Sequence, residues 1–490
     1  MLGEVDLNLT GLRARVDSAS EPLGTLAWLA ATLAAAALAG AMVGRGEIKF
    51  AILPVAAVVV VVFARVPAAG YVAILWSVGT AIDMLALPEV GVSSLQFEPA
   101  EVLLWIALGC LLFLPSDVRR VVRSVAVRRE SVTLAVFLLA VVAGVAVGAE
   151  HGASVHKAAL DMRLMLFYAA FWPALAALAR GRTVVFRLVS AGVVVVVVLQ
   201  VLQVLAGQST SFFLIAPQDV TSSLTSDVTG ILRVRPPGLT TVYIASAFAL
   251  ARVIWGPARG RLVGWAMVTV TLTGVILSLN RNMLLGLTIG LLAAAVVVPQ
   301  RHRFVVTAAA VAMVLSGFVL LAQGSALESN PIVSRVASIT NVSQLQATTL
   351  ADRYYENRIA LQRIHAHPIS GLGWGPDYGA MLLSSDAGFL VSQPRQFMHE
   401  QYLWIWMRAG LLGLVALITM LALGIWNGAR WSRARHGQDD AWLGAGVVVA
   451  LVAMAASSNV AIYLTPPDST VPLVGVLALA AVMRRDLARR

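Results

Sequence analysis

Apolar runs close to the length of a membrane span recur along the whole chain. They fall at roughly 23–43, 48–64, 69–87, 99–114, 131–149, 161–179, 188–206, 239–255, 262–279, 283–299, 304–322, 401–425, 442–463 and 469–483. A helix needs about 20 mostly apolar residues to cross the hydrocarbon core of a bilayer. Backbone groups in lipid find partners only within helices or closed barrels, so runs of this length read as helices. The expected fold is an all-α polytopic membrane protein with about 14 transmembrane helices, 12 or 13 being the alternatives. Of the 490 residues, 59% are hydrophobic and only 12% are charged. Soluble domains carry about 25% charged residues, so a water-soluble or disordered chain is excluded. The single cysteine, Cys110, lies in an apolar run, which leaves no disulfide framework and no cysteine-based metal site. Residues 1–22 are polar and acidic and lack the basic start of a signal peptide.

Charge distribution orients the spans. The net charge of +11 comes from 36 basic and 25 acidic residues. In a membrane protein that excess reflects basic cytoplasmic loops rather than a nucleic-acid partner. With both termini inside, 23 of the 36 basic residues fall on short inner segments, five of them arginines within 115–130. Of the remaining 13, five lie in one long outer loop, where the rule does not operate. The expected location is a bacterial plasma membrane, with both termini cytoplasmic and membrane lipids around the bundle.

The outer connections are unequal. Residues 207–238 form a medium loop, and residues 323–400 form one of 78 residues, long enough to be structured. The chain thus divides into membrane helices over 1–322, an extracytoplasmic loop over 323–400 and C-terminal membrane helices over 401–490. Within the loop, Asp352 to Ile364 reads as an amphipathic helix lying on the membrane surface. It should end at His367-Pro368, because proline disfavours helix continuation, and Gly371, Gly373 and Gly375 then make an irregular turn.

The outer arginines oppose the topological bias, and charge at membrane depth is costly and usually functional. Arg233 and Arg235 lie where the medium loop re-enters the membrane. Arg281 lies in the minimal turn Ser278-Leu279-Asn280-Arg281-Asn282. Arg353, Arg358 and Arg363 lie on the loop helix, and Arg408 sits about two turns into the span that follows. Guanidinium groups gathered on one face suit a phosphate or pyrophosphate, which arginine grips bidentately. Lipid headgroup contacts and ordinary salt bridges are the plainer alternatives. Among the histidines, His399 closes the long loop at the threshold of a span. There its ring would face a chamber between loop and bundle, where neutral imidazole can take a proton from a hydroxyl. His151, His156, His302, His365, His367 and His436 read as structural or solvated. His365-x-His367 lacks a third ligand at a suggestive spacing, so no metal site is expected. The acids Glu89, Glu98, Glu101 and Asp161 form no paired-acid motif and read as surface charge.

These residues resemble the O-antigen ligase and polymerase family of polytopic, GT-C-like membrane glycosyltransferases. The resemblance rests on Arg235-Pro236-Pro237-Gly238-Leu239, on Ser278-Leu279-Asn280-Arg281, and on His367-Pro368-Ile369-Ser370-Gly371-Leu372-Gly373 after Arg353. It closes on His399 before Tyr402-Leu403, followed by Arg408-Ala409-Gly410-Leu411-Leu412-Gly413. It covers roughly residues 190–425. Glu400 departs from the asparagine that often follows the histidine, and Pro236-Pro237 is unusual after the arginine.

The resemblance implies an inverting transfer without metal or other cofactor. The donor is a glycan on a polyprenyl pyrophosphate at the outer leaflet, and the acceptor is a glycan, lipid or protein hydroxyl. Arg235 and Arg281 would hold the pyrophosphate. Arg353 would add a second pyrophosphate or loop-positioning contact, with Arg233 and Arg408 as further substrate-binding residues. His399 would be the catalytic base. A polysaccharide polymerase is the alternative within the family. A transporter or flippase of an anionic lipid or solute is the alternative outside it; the lack of an internal repeat disfavours it.

Overall fold

In a computed structural model of the protein, the residues described are 48–79, 90–92, 95–97, 99–126, 128–206, 212, 221–223, 232–278, 280–298, 349–379 and 398–489. The expected spans at 23–43 and 304–322, with Glu89 and Glu98, lie outside them. The chain forms two compact units, Met1–Val66 and Pro67–Arg490. The first contains helix α1 (Ile48–Arg65). In the second, helices follow as α2 (Pro67–Gly79), α3 (Pro99–Cys110), α4 (Ser116–Ala126), α5 (Arg129–Glu150), α6 (Val155–Arg163) and α7 (Phe171–Ala206). After these come α8 (Leu239–Trp255), α9 (Arg261–Leu277), α10 (Arg281–Val297), α11 (Thr349–Ala366), α12 (Gln401–Ala434), α13 (Ala441–Ser457) and α14 (Pro467–Ala488). Two antiparallel ladders of three residues a side add to the helical expectation. They pair β1 (Val90–Val92) with β2 (Leu95–Phe97) and β3 (Thr221–Ser223) with β4 (Leu232–Val234).

The apolar runs that fall within the described residues become helices nearly where the sequence puts them, with α8 matching its run at both ends. Among the described residues, three helical stretches are long and apolar enough to cross a membrane: Arg129–Glu150, Val155–Ala206 and Gln401–Ala434. The number rises to five if each of two bent pairs counts as one span. The helices α8, α9 and α13, and residues 282–297 of α10, are apolar but shorter. Seventeen residues of helix rise only about 25 Å, just under the hydrocarbon thickness. The protein is thus a multi-pass membrane protein, and the expected count of fourteen spans is not confirmed. One bent pair has a clear physical cause. The chain turns by 108° at Leu114-Pro115 between the helical stretch 99–113 and α4. Along α4, Val118 and Val125 are buried while Arg120 and Arg123 are exposed, the pattern of a helix lying along an interface.

Polar contacts define two ends of the bundle. At one, Arg484 bonds Glu130 at 2.7 Å, and Asn427 donates to the same carboxylate. Arg435 and Arg182 both meet Asp440, and Arg433 donates to the Val297 carbonyl. Helix α13 starts beside Asp440 and delivers the chain to the other end, where residues 458–466 form a connecting loop. Tyr168 donates to the Leu464 carbonyl of that loop, and Gln200 donates to the carbonyls of Val234 and Gly274. Between Tyr168 and Gln200 the chain reaches Arg182 at the arginine-rich end. It therefore makes two passes, turning where Gly181 leaves helical conformation (φ −164°, ψ 70°). Arg182, Arg433, Arg435 and Arg484 thus gather at one end, and Tyr168, Gln200 and the 458–466 loop at the other.

Candidate active site

The loop end is built around a broken helix. Within α12, Gly410 adopts φ 71°, ψ −179°, a conformation open to glycine and costly for other residues. In an unbroken helix the Leu411 amide would donate to the Met407 carbonyl. It donates instead to the Ile369 carbonyl at 2.9 Å. The Met407 carbonyl accepts from Leu372 (2.7 Å) and Gly373 (3.2 Å). The turn after α11 is spliced into the gap, so the Leu411 amide and the Met407 carbonyl, parted by the break, both find partners in the turn. Irregular backbone at membrane depth is tolerated only when protein satisfies it in this way.

The glycines of the turn are dictated by this docking. Gly371, Gly373 and Gly375 all have positive φ. A Cβ on Gly373 would lie 2.2 Å from the Gly148 nitrogen, and one on Gly371 would lie 2.4 Å from the Met407 carbonyl oxygen. The opposing groove on α5 comes from Gly144 and Gly148, four residues apart on one face, where a Cβ would strike Trp374. Trp374 fills that groove, its amide bonding Gly144 and its indole N–H bonding Val141. His151 Nδ1 lies 3.0 Å from the Leu372 carbonyl, and its ring packs edge-on against His367. Both histidines thus brace the turn.

Arg408 closes the assembly. It is 1% exposed, and its guanidinium donates to the carbonyls of Gly373 and Pro376, each at 2.8 Å. It also lies 4.3 Å from the Trp404 ring centre. The sequence reading counts Arg408 among substrate-binding arginines; here two protein carbonyls and an aromatic face engage its guanidinium, while its buried Nε has no hydrogen-bond partner among the described residues.

A second knot of contacts joins the distant motifs. The Asn280 side chain of the Ser278–Arg281 turn donates to the Tyr463 hydroxyl. Arg235 reaches the surface, yet desolvation pulls its guanidinium below the usual arginine range, a shift that nearby Tyr463 opposes. Tyr243 on α8 packs its ring toward Tyr463, and its hydroxyl bonds Ser457, which donates to the Asn282 carbonyl. On the other side of the same loop, Gln401 takes its amide to the Ser458 carbonyl, and Thr465 donates to the Gln401 side chain. Gln401 in turn donates to the Met398 carbonyl, fixing the residue before His399. The 458–466 loop therefore ties the turn that opens α10 at Arg281 to the segment carrying His399, with Arg235 within electrostatic reach of Tyr463. Arg233 lies in β4 and Arg281 is the first residue of α10, both placed by backbone alone.

His399 meets a partner from the loop helix. Its Nδ1 lies 3.1 Å from Glu356 Oε2, and its backbone amide donates to the same oxygen at 3.3 Å. Glu356 is 2% exposed, while the His399 side chain is 37% exposed. Along α11, Glu356, Ala360 and Ile364 form the buried stripe, with Arg353 and Asn357 half-buried beside it. The helix runs Thr349–Ala366, ending one residue before His367-Pro368. Rather than lying on the surface alone, it is pinned to the bundle side by this stripe and by Arg363, which donates to the Tyr378 carbonyl. Desolvation lowers the Arg353 guanidinium from its usual range. Glu400 caps α12 by accepting from the Leu403 amide. Burial raises its carboxyl above the usual range, and hydrogen bonds from the Leu403 and Tyr402 amides oppose that shift.

The sequence singled out neither Glu356 nor Tyr463. Arg353-x-x-Glu356-Asn357 places all three residues on one helical face, the signal that pointed to Glu356. Tyr463 sits in a loop without charge, where no comparable signal exists.

Residues 265–418 match the family model described as O-antigen ligase. The matched segment runs from α9 into α12 and contains Arg281, Arg353, Glu356, the glycine turn, His399 and Gly410; Arg235 and Tyr463 lie outside it. It is narrower than the 190–425 expected from the motifs, and it supports an O-antigen-ligase or polymerase-like family. No curated protein matches the chain.

Proposed function

With the O-antigen ligase match over residues 265–418 as premise, we propose that the protein is an inverting glycosyltransferase of a bacterial inner membrane. It moves a glycan from a polyprenyl-pyrophosphate donor at the outer leaflet to an acceptor hydroxyl, in the manner of an O-antigen ligase. The loop end faces outward and both termini lie in the cytoplasm, as the charge asymmetry of the short loops requires.

The observation that carries this reading is the pairing of His399 with buried Glu356, in a segment tied to the Arg281 turn through the 458–466 loop, with Arg235 near Tyr463 of that loop. The Glu356 carboxylate accepts from Nδ1–H of the neutral ring. That tautomer leaves Nε2, on the ring's opposite side, as the basic nitrogen. The acceptor O–H proton passes to Nε2 while the acceptor oxygen bonds the anomeric carbon. The bond from that carbon to the pyrophosphate oxygen breaks on the opposite face, inverting the centre. Arg235 and Arg281 hold the pyrophosphate and offset its charge as it departs. Glu356 and Arg408 are positioning residues, Glu356 for the ring and Arg408 for the glycine turn.

The donor's lipid chain finds suitable space nearby. Helix α8 begins four residues after Arg235. Between α2, α7, α8, α9 and α14 lies a cavity of about 430 Å³, lined by apolar side chains such as Val185, Ile244, Phe248, Met267 and Leu479. A pocket of that size and character suits an isoprenoid segment.

The test is reconstitution of the protein in nanodiscs with a polyprenyl-pyrophosphate-linked glycan and an acceptor. Acceptor-dependent release of polyprenyl pyrophosphate, with one glycan gained by the acceptor, is the expected result. Movement of intact donor across proteoliposomes without release of pyrophosphate would mark a flippase and overturn the proposal.

A further inference from the structure

The polar face of α11 extends past Glu356. Arg353 and Asn357 stand one helical turn apart, on the side of the helix that also carries Glu356, Ala360 and Ile364. Arg353 Nε and Asn357 Oδ1 are both buried, and among the described residues neither has a hydrogen-bond partner. Buried polar atoms are nearly always paired, so two orphans side by side mark a place where a ligand supplies the missing bonds. One is a donor and the other an acceptor. Side chains at i and i+4 lie about 5–6 Å apart at Cβ, a spacing that neighbouring hydroxyls of one sugar ring can bridge.

We propose that Arg353 and Asn357 form the recognition subsite for the acceptor, binding hydroxyl groups of the sugar whose neighbouring hydroxyl is presented to His399. This rests on the glycosyltransferase reading and assigns one side of its substrate. The chemistry of the face favours a sugar over the donor's pyrophosphate. A phosphate oxygen accepts but cannot donate to Asn357 Oδ1, whereas a hydroxyl does both. The Glu356 carboxylate, on the same face, repels a polyanion and tolerates a neutral sugar. Position agrees, because Glu356 holds the ring that must meet the acceptor, whereas Arg235 and the Arg281 turn gather at Tyr463.

The experiment uses full-length protein in nanodiscs and a fluorophore-tagged oligosaccharide hydrolysed from the host's own envelope glycan. Its Kd is measured for wild type, Arg353→Ala, Asn357→Leu and Asn357→Asp, and acceptor and donor KM are measured in the transfer assay. Loss of one such hydrogen bond is expected to weaken oligosaccharide binding and raise acceptor KM by about tenfold. Donor KM should stay at the wild-type value. Asn357→Asp keeps the acceptor oxygen and should retain more binding than Asn357→Leu, and unchanged melting temperatures show that the variants fold. Oligosaccharide binding that is equal in all four proteins, or a rise confined to donor KM, would overturn the proposal. Wild type that binds the oligosaccharide through these residues but releases no polyprenyl pyrophosphate would leave the sugar site standing and refute the transferase reading instead.

Discussion

His399 Nδ1 and Glu356 Oε2 lie 3.1 Å apart, although the chain separates them by 43 residues. The carboxylate is buried and the ring is partly open, the arrangement in which an acid orients a histidine and the histidine does chemistry at its outer nitrogen. Glu356→Gln keeps the size and removes the charge. It is expected to lower kcat roughly 10–10³-fold with donor KM unchanged, and Glu356→Asp should recover part of the loss. A kcat within about twofold of wild type for the glutamine variant would deny Glu356 this role.

The exchange of hydrogen bonds between Gly410 and the glycine turn predicts that the turn tolerates no side chain. Gly410→Ala places a non-glycine residue at positive φ, costing about 1–3 kcal/mol. Its Cβ would also lie 2.5 Å from the Ile369 carbonyl oxygen. A lowered melting temperature is expected together with reduced transfer. Wild-type melting would show that the helix break is not required.

Arg408 should behave as a brace. Arg408→Lys keeps a charge but cannot reach two carbonyls and an aromatic face with one planar group. Partial unfolding of the turn is expected, read as faster proteolysis or amide exchange in residues 368–378, with donor and acceptor KM shifting together. A change confined to donor KM would return Arg408 to the donor site.

Glu400 separates a cap from a base. Its carboxyl is raised by burial, so the fold favours its protonated form. Its charge therefore costs stability progressively as pH rises from the ordinary carboxylate range through the raised value. Glu400→Gln keeps an oxygen for the Leu403 amide and removes that cost. The variant should melt at or above the wild-type temperature at pH 8, and this advantage should shrink at pH 4. Transfer should persist. Loss of transfer with an intact fold would make Glu400 the proton acceptor in place of His399.

The bundle was legible because lipid demands long apolar runs, and α8 came out residue for residue. The motifs also named Arg235, Arg281 and His399, which the structure draws toward one loop. Local pattern could not say what holds them. Arg408 stood out by its depth in a span, but its partners, the Gly373 and Pro376 carbonyls, lie more than 30 residues earlier and carry no side-chain signature. Tyr463 organises two arginine-bearing segments from an uncharged loop, and Glu356 is one of several charges on a helix whose buried side only packing defines. Likewise, Gly410 reads in sequence as a small residue in a span; its positive φ follows from the turn inserted opposite.

The central claim is that His399 removes the acceptor proton at a site that binds the donor without its help. Single-turnover transfer by His399→Gln at saturating donor, in nanodiscs, tests it most directly, because an amide keeps a hydrogen bond and cannot act as a base. The account predicts a rate lower by about 10²–10⁴-fold with donor affinity unchanged. A near-normal rate would contradict it.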